Sequence, residues 1–452
     1  MRRIKPPTPT SLFRVNTCSK STRSFGSTNA TLFNTSARRN EGGIFLQSRV
    51  KISPFVKSAE PREDGTKAPL TPIFDGTNLY FEASEGRPCE IVSKRWLRDQ
   101  CPCGECVHPE TKQRQMDTFK IQPDISIESF EHDPGDATAK IRWQGGHESV
   151  YPVATIRKSK PKATDLARRG TLQREFFDAT ISASPPTVEY DSIMSGNGVA
   201  EWTRQIGTYG ISFVKGCPID AEATKVLLEK IGPIRETHYG GFYDFTANLA
   251  SKDTAYTNLS LGAHTDTTYF SEPAGLQMFH MLSHTNGSGG ESLLVDGFAA
   301  AAQLYEEDME AYRILSTVRI WSHASGNEDV SIQPYTCFPV LSHDPVMGHL
   351  VMVRWNDDDR AGIEAEGEEV DKWYEAASRF NRILNDSKNQ YWSQLEPGVP
   401  LIFDNWRVLH GRGQFTGKRR MSGGYINRDD FISKLKLSNM TRDQVLESTV
   451  TG

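Results

Sequence analysis

A histidine and an aspartate two residues apart, His264 and Asp266, can reach one cation together, because side chains at i and i+2 of an extended strand project to the same face. A third ligand must come from a distant segment, and Pro400-Leu-Ile-Phe-Asp-Asn-Trp-Arg-Val-Leu-His410 reads as a strand ending in histidine. Two histidines and one carboxylate on one face of an octahedron leave three positions open, the arrangement that suits a non-haem Fe(II) oxygenase. Catalytic zinc, with a tetrahedron and one open site, fits this set less well. Such an oxygenase draws electrons from a co-substrate, commonly 2-oxoglutarate. The far carboxylate of that dianion needs a permanently charged, bidentate partner, which means arginine. Arg419, in Arg419-Arg420-Met-Ser-Gly-Gly-Tyr425, is the better placed anchor, with Arg412 the second candidate. A separate constellation, Cys101-Pro-Cys103-Gly-Glu-Cys106, puts Cys101 and Cys103 on one face while Gly104 lets the chain turn Cys106 in beside them. Three thiolates and one imidazole close a tetrahedral structural zinc site, and spacing leaves His108, His132 and His147 open as the fourth ligand.

The elements that must carry these groups are mostly strands. Short strand patterns at Asn78–Ala83, Cys89–Val92, Lys140–Trp143 and Ser149–Val153, separated by Gly, Pro and Asp clusters, predict a small N-terminal β-rich domain over 70–160. A basic, Pro-containing stretch from Arg157 to Arg169 reads as a linker. Over 170–440, strands at Gly275–Met281, Ser292–Val295, Leu350–Arg354, Pro400–Phe403 and Met421–Ile426 outnumber helices at Asp220–Ile231, Ala299–Met309 and Lys372–Leu384. Many strands with few helices predict a mainly β barrel or jelly roll with helices packed outside.

The chain has 452 residues, a formal charge of −5 and seven cysteines. Seven cysteines are too few for a disulfide scaffold, and a mildly acidic balance argues against nucleic acid as the main partner. No run approaches the ~18 apolar residues that a membrane-spanning helix needs. The first forty residues hold eight Arg or Lys and thirteen Ser or Thr, with no acid before Glu41. An Arg- and Ser-rich, acid-free leader over 1–45 reads as a mitochondrial transit peptide and points to the matrix.

Three longer phrases carry a resemblance: His264-Thr-Asp-Thr-Thr-Tyr-Phe-Ser-Glu-Pro-Ala-Gly-Leu-Gln, Gly289-Gly-Glu-Ser-Leu-Leu-Val-Asp-Gly and Asp404-Asn-Trp-Arg-Val-Leu-His-Gly-Arg. The chain from about 70 to 440 resembles the γ-butyrobetaine/trimethyllysine hydroxylase family, and its phrases are most similar to the trimethyllysine branch. The resemblance implies a double-stranded β-helix, iron ligands His264, Asp266 and His410, and Arg419 as the oxoglutarate anchor. By similarity of Gly-Gly-Glu-Ser to the Gly-Gly-Asp-Thr motif of the wider taurine-dioxygenase-like group, it also implies a hydroxyl from Ser292 on the oxoglutarate. A zinc-bearing relative takes its histidine from a Trp-x-x-x-His context, here Trp143-Gln-Gly-Gly-His147, which implies His147 as the fourth zinc ligand.

The activity implied is hydroxylation of trimethyllysine at C3, the first step of carnitine biosynthesis, with ascorbate a possible reductant. A quaternary ammonium cannot donate a hydrogen bond, so aromatic faces must bind it. The resemblance assigns that cage to Tyr239, Tyr243, Tyr256 and Tyr425. Asp253 is expected to pair with the α-ammonium that γ-butyrobetaine lacks, where a carboxylate would repel the butyrobetaine acid. The partner expected is therefore one small molecule, with no nucleic acid, no membrane and a homodimer left open. Rival readings are a γ-butyrobetaine hydroxylase, a catalytically dead zinc-bearing interaction protein and a methyl-lysine binding module.

Overall fold

The computed structural model describes residues 52–55, 71–81, 90–133, 135–156, 174–246, 258–345 and 347–449. The leader over 1–45, the linker from Arg157 to Arg169, and Asp253 and Tyr256 lie outside the described residues.

Two sheets face one another in the larger part of the chain. One holds six strands in the order Thr187–Glu189, Ile211–Lys215, Leu401–Asp404, Leu276–Thr285, Lys418–Ile426 and Tyr243–Thr246. The other holds four, in the order Leu261–His264, Val408–Arg412, Ser292–Asp296 and Gln390–Ser393. Neighbours pair antiparallel except Thr187–Glu189 with Ile211–Lys215. The two-residue period of each strand sorts its side chains. Leu276, Met278, Ile402 and Ile426 face outward, onto helices Val199–Tyr209, Ala221–Glu229 and Arg428–Asn439. Phe279, Met281, Leu401, Phe403 and Met421 face inward, where they meet Leu294, Val408 and Tyr391 of the smaller sheet. On the far side of that sheet, Leu293, Val295 and Leu409 pack against helices Gly297–Glu307, Met309–Thr317 and Glu368–Leu384. This is the jelly-roll fold expected, with the helices outside.

The run from Pro400 to His410 is not one strand. It pairs as Leu401–Asp404 in the six-stranded sheet, turns at Asn405–Arg407, and re-enters as Val408–Arg412 in the four-stranded sheet. Hydrophobic pattern alone cannot register that crossing, because Trp406 and Val408 continue the apolar text. Polar side chains in the turn make it. Arg407, 1% exposed, donates through Nε and Nη2 to both carboxylate oxygens of Asp296, and to the carbonyls of Thr208 and Glu175. Asp296 also accepts from Phe298 N and Ala299 N, capping the helix that follows, and from Phe177 N.

The N-terminal region carries two small sheets, Pro72–Phe74, Leu79–Phe81 and Glu90–Ile91 in one, and Ile127–Glu131, Thr138–Trp143 and Glu148–Pro152 in the other. Along Thr138–Trp143, burial alternates, with Ala139, Ile141 and Trp143 inside. They join Leu79, Leu97 and Tyr151 in a core that contains no residue beyond 156.

Candidate active site

The strand Leu261–His264 ends at its histidine. Asp266 lies in the turn beyond, so the pair does not share one face of a continuous strand as the spacing suggests. Ladder bonds are replaced there by side chains. Asn405 Oδ1 accepts from Asp266 N at 2.8 Å, and its Nδ2 donates to the carbonyls of Asp266 and Ala274 at 3.0 Å. Thr267, with φ of +59°, accepts from Ala274 N through its hydroxyl, and Arg354 ties the carbonyls of Thr268, Phe270 and Ser271. A left-handed threonine costs about 1–3 kcal/mol and persists because these bonds over-determine the loop.

The turn swings Asp266 back under the two imidazoles. His264 Nε2 lies 3.2 Å and His410 Nε2 lies 3.5 Å from Asp266 Oδ1. Ligands about 2.1 Å from one ion and at right angles are about 3 Å apart, so the three atoms fit one octahedral face. His264 and His410 are directly opposed across the strand pair, which brings their rings to 4.3 Å. Nδ1 of His264 lies 2.8 Å from the Gly262 carbonyl, which would leave Nε2 for a metal ion. His410 is oriented differently. Its Nδ1 is buried without a hydrogen-bond partner, and the rings of Phe279 and Phe403 hold it at 5.6 and 4.9 Å. Burial and the neighbouring His264 charge push the His410 imidazole down to about 3, so it stays neutral. Burial opposes charge on Asp266, but the histidines and the Tyr425 hydroxyl outweigh it and hold its carboxyl well below the usual range. Burial also opposes charge on His264, yet its bond to Asp266 raises it. A carboxylate held ionised between two imidazoles, one of them held neutral, is a donor set that would suit a divalent cation.

The three side chains line a cavity of about 310 Å³. Arg419, Met421, Gly423 and Tyr425 alternate inward along one strand, so Arg419 and Tyr425 line the same wall six residues apart. Arg419 is buried, and its Nε has no hydrogen-bond partner. Arg412 lines the cavity from the opposite sheet, where Ser292 sits directly across from it. Both guanidinium groups lie over the Phe415 ring, at 4.8 and 5.2 Å. Burial and the charge on Arg419 push Arg412 down to about 10, so Arg412 remains cationic near neutral pH. Tyr239 and Tyr243 also line the cavity, and the Tyr243 hydroxyl donates to the Met278 carbonyl at 2.7 Å. Tyr425 meets Tyr243 at 6.2 Å, but its hydroxyl donates to Asp266 Oδ2 at 2.7 Å.

Reading by residue type missed Tyr269, Phe279 and Trp355 in the cavity wall and Asn405 behind Asp266. Tyr269 and Asn405 lie inside the motif phrases, which was the available signal; Phe279 sits in apolar strand text and Trp355 just beyond the strand Leu350–Val353, and neither place gives one.

The cysteine cluster is built in the N-terminal core. Cys101, Cys103 and Cys106 follow helix Lys94–Asp99 in a loop rather than an extended strand, where Cys106 N and Val107 N donate to the Cys103 carbonyl and bring the third thiol round. Of the three open histidines, His147 meets them: its Nε2 lies 3.3, 3.7 and 3.6 Å from the sulfurs of Cys101, Cys103 and Cys106. Bonds of about 2.3 Å to sulfur and 2.0 Å to nitrogen in a tetrahedron set that separation at about 3.5 Å. Ser149 and Arg98 donate to the sulfurs of Cys101 and Cys106.

Two histidines, one carboxylate and a buried arginine inside a double-sheet barrel define the class of non-haem iron oxygenases that take an anionic co-substrate. Residues 173–425 match the model of the taurine catabolism dioxygenase TauD, TfdA family, and residues 76–157 match that of the γ-butyrobetaine hydroxylase-like N-terminal region. The chain is similar to a trimethyllysine dioxygenase of Neurospora crassa, 44% identical over 82% of this chain and 85% of that one. It is 36% identical to the mitochondrial trimethyllysine dioxygenase of Homo sapiens over 79% and 85% of the two chains. A γ-butyrobetaine dioxygenase of Pseudomonas sp. is 29% identical over 75% and 88%. The chain belongs to the trimethyllysine dioxygenase family.

Proposed function

We propose that this chain is an Fe(II)- and 2-oxoglutarate-dependent enzyme that hydroxylates N6,N6,N6-trimethyllysine at C3, the first step of carnitine biosynthesis. The observation that carries the reading is the convergence of His264 Nε2, His410 Nε2 and Asp266 Oδ1 beside a cavity walled by tyrosines and a buried arginine. These three side chains would hold the iron. Iron with 2-oxoglutarate supplies the oxidising power that inserts one atom of O2 into a C–H bond, releasing succinate and CO2. The protein's part is placement. Arg419 meets the distal carboxylate of oxoglutarate, with Ser292 and Arg412 beside it. Tyr239 and Tyr243 turn ring faces to the trimethylammonium group, an attraction of roughly 2 kcal/mol or more once desolvated. Asp253 and Tyr256 complete the proposed site. Holding the substrate by its cationic end and the co-substrate by its anionic end decides which C–H faces the metal. The acid-free leader, together with the mitochondrial human relative, supports residence in the mitochondrial matrix.

The substrate test is an assay of the iron-loaded protein, with and without ascorbate, against trimethyllysine and γ-butyrobetaine in parallel. Trimethyllysine is expected to gain one oxygen while oxoglutarate is decarboxylated. Turnover of butyrobetaine alone would overturn the substrate assignment, and decarboxylation with neither would leave only the interaction-protein reading.

Gly290 offers a sharper check on the arginine wall. Its φ is +74°, and a Cβ there would stand 2.9 Å from Nη1 of Arg419 and 3.0 Å from Cβ of Phe415. Gly290→Ala must therefore displace the anchor. Overpacking of this kind costs about 1–3 kcal/mol, so the KM for oxoglutarate is expected to rise about tenfold with little change for trimethyllysine. An unchanged oxoglutarate KM would detach Arg419 from that role.

Cys101, Cys103, Cys106 and His147 would hold a structural zinc ion. One zinc per chain is expected by elemental analysis alongside iron. Cys106→Ser should lose the zinc and lower the unfolding temperature, because binding free energy of such a site is folding free energy. A zinc-free protein of unchanged stability would retire the assignment.

A further inference from the structure

We infer that Tyr425 is a positioning residue for Asp266, and that its hydroxyl, more than its ring face, is what the reaction uses. The inference rests on the iron reading of the site. Asp266 has two oxygens with different neighbours. Oδ1 is the atom that His264 and His410 share, whereas Oδ2 accepts the Tyr425 hydroxyl at 2.7 Å. Behind that hydroxyl, Gln277 Nε2 stands 3.4 Å from the phenolic oxygen, directly across the strand pair. An amide donor aimed at the oxygen leaves the phenolic proton for the carboxylate. Tyr425 is 5% exposed and cannot swing out to water.

The consequence lies in the number of positions that Asp266 can occupy. A free carboxylate is able to grip a cation through both oxygens, and three protein side chains would then fill four positions. Co-substrate and oxygen together need three open ones. Tying Oδ2 to a phenol keeps the aspartate monodentate. Asn405 fixes the backbone of the same residue from both sides, so Asp266 can neither rotate nor retreat. The tyrosine wall and the proposed metal position would thereby be joined through the Tyr425 hydroxyl.

Tyr425→Phe separates the two roles, since it keeps the ring and removes only the donor. The apo protein is titrated with Co(II) in the absence of substrate, following the visible spectrum, and the trimethyllysine KM is measured separately. Loss of a partner that orients a metal ligand typically costs 10- to 100-fold in metal affinity, so Co(II) binding is expected to weaken by about that factor. Saturating Fe(II) should restore part of the turnover, and the trimethyllysine KM should stay within about threefold because the quadrupole of the ring survives. Gln277→Met, which withdraws the amide behind the phenol, is the second variant should Tyr425→Phe not fold, and should weaken Co(II) binding in the same direction. Wild-type Co(II) affinity in both variants, with a raised trimethyllysine KM in Tyr425→Phe, would return Tyr425 to the cage and overturn the inference. A wild-type protein that takes up no Co(II), indistinguishable from His264→Ala, removes the iron reading and this inference with it.

Discussion

Alanine at His264, Asp266 or His410 is expected to abolish iron uptake and trimethyllysine turnover together. The loss should far exceed the roughly 100-fold that removal of a mere supporting partner costs, because each variant leaves two ligands where three are needed. The three cases differ in what remains. Asp266→Ala strips the carboxylate that both imidazoles, 4.3 Å apart, share, and leaves the Tyr425 hydroxyl without its acceptor. His410→Ala opens a void between Phe279 and Phe403 but frees no charge. His264→Ala removes the more exposed of the two imidazoles and should disturb the fold least. Elemental analysis for iron, read beside oxoglutarate decarboxylation, checks all three. Any variant that keeps its iron and its turnover takes that residue out of the ligand set.

A second large effect concerns stability. Asp296→Ala is expected to destabilise the protein by about 3–5 kcal/mol, because it strands the Arg407 guanidinium, 1% exposed, with no counter-charge. The cap on the helix beginning at Gly297 is lost too, worth about 1 kcal/mol. Asp296→Asn should lie between the two proteins, since it retains a cap acceptor and loses the charge. Urea unfolding followed by circular dichroism gives the difference directly. A change below about 1 kcal/mol for Asp296→Ala would mean that the pair is solvated rather than structural. The effect reaches the active site. Asp296 ends one strand of the small sheet, and Arg407 immediately precedes its neighbour Val408–Arg412, the strand that carries His410. Loss of the pair should therefore lower iron affinity as well as stability.

Much of this site is written in local text. Strand and helix positions follow from periodicity: the buried Trp373, Ala376, Ala377, Phe380, Ile383 and Leu384 recur at helical spacing in Glu368–Leu384, and Ala139, Ile141 and Trp143 recur at strand spacing. What misled was continuity. Two apolar runs around Asp404-Asn-Trp-Arg407, read as one strand from Pro400 to His410, conceal a change of sheet, and a histidine–aspartate pair at i and i+2 conceals a turn. In both places a long-range polar bond, from Arg407 to Asp296 or from Asn405 to Asp266, overrides the local preference for extended chain.

The types of the reactive groups, their spacing and the chemistry they can support are properties of the side chains themselves, and so the sequence alone determined the iron ligands, the arginine candidates and the thiol cluster as expectations. Only the tertiary structure decided which aspartate oxygen faces the imidazoles and what the hydroxyl of Tyr425 touches. Those answers depend on distances of a few ångströms between segments up to 159 residues apart, set by packing of the whole barrel, and no local pattern in the chain encodes them.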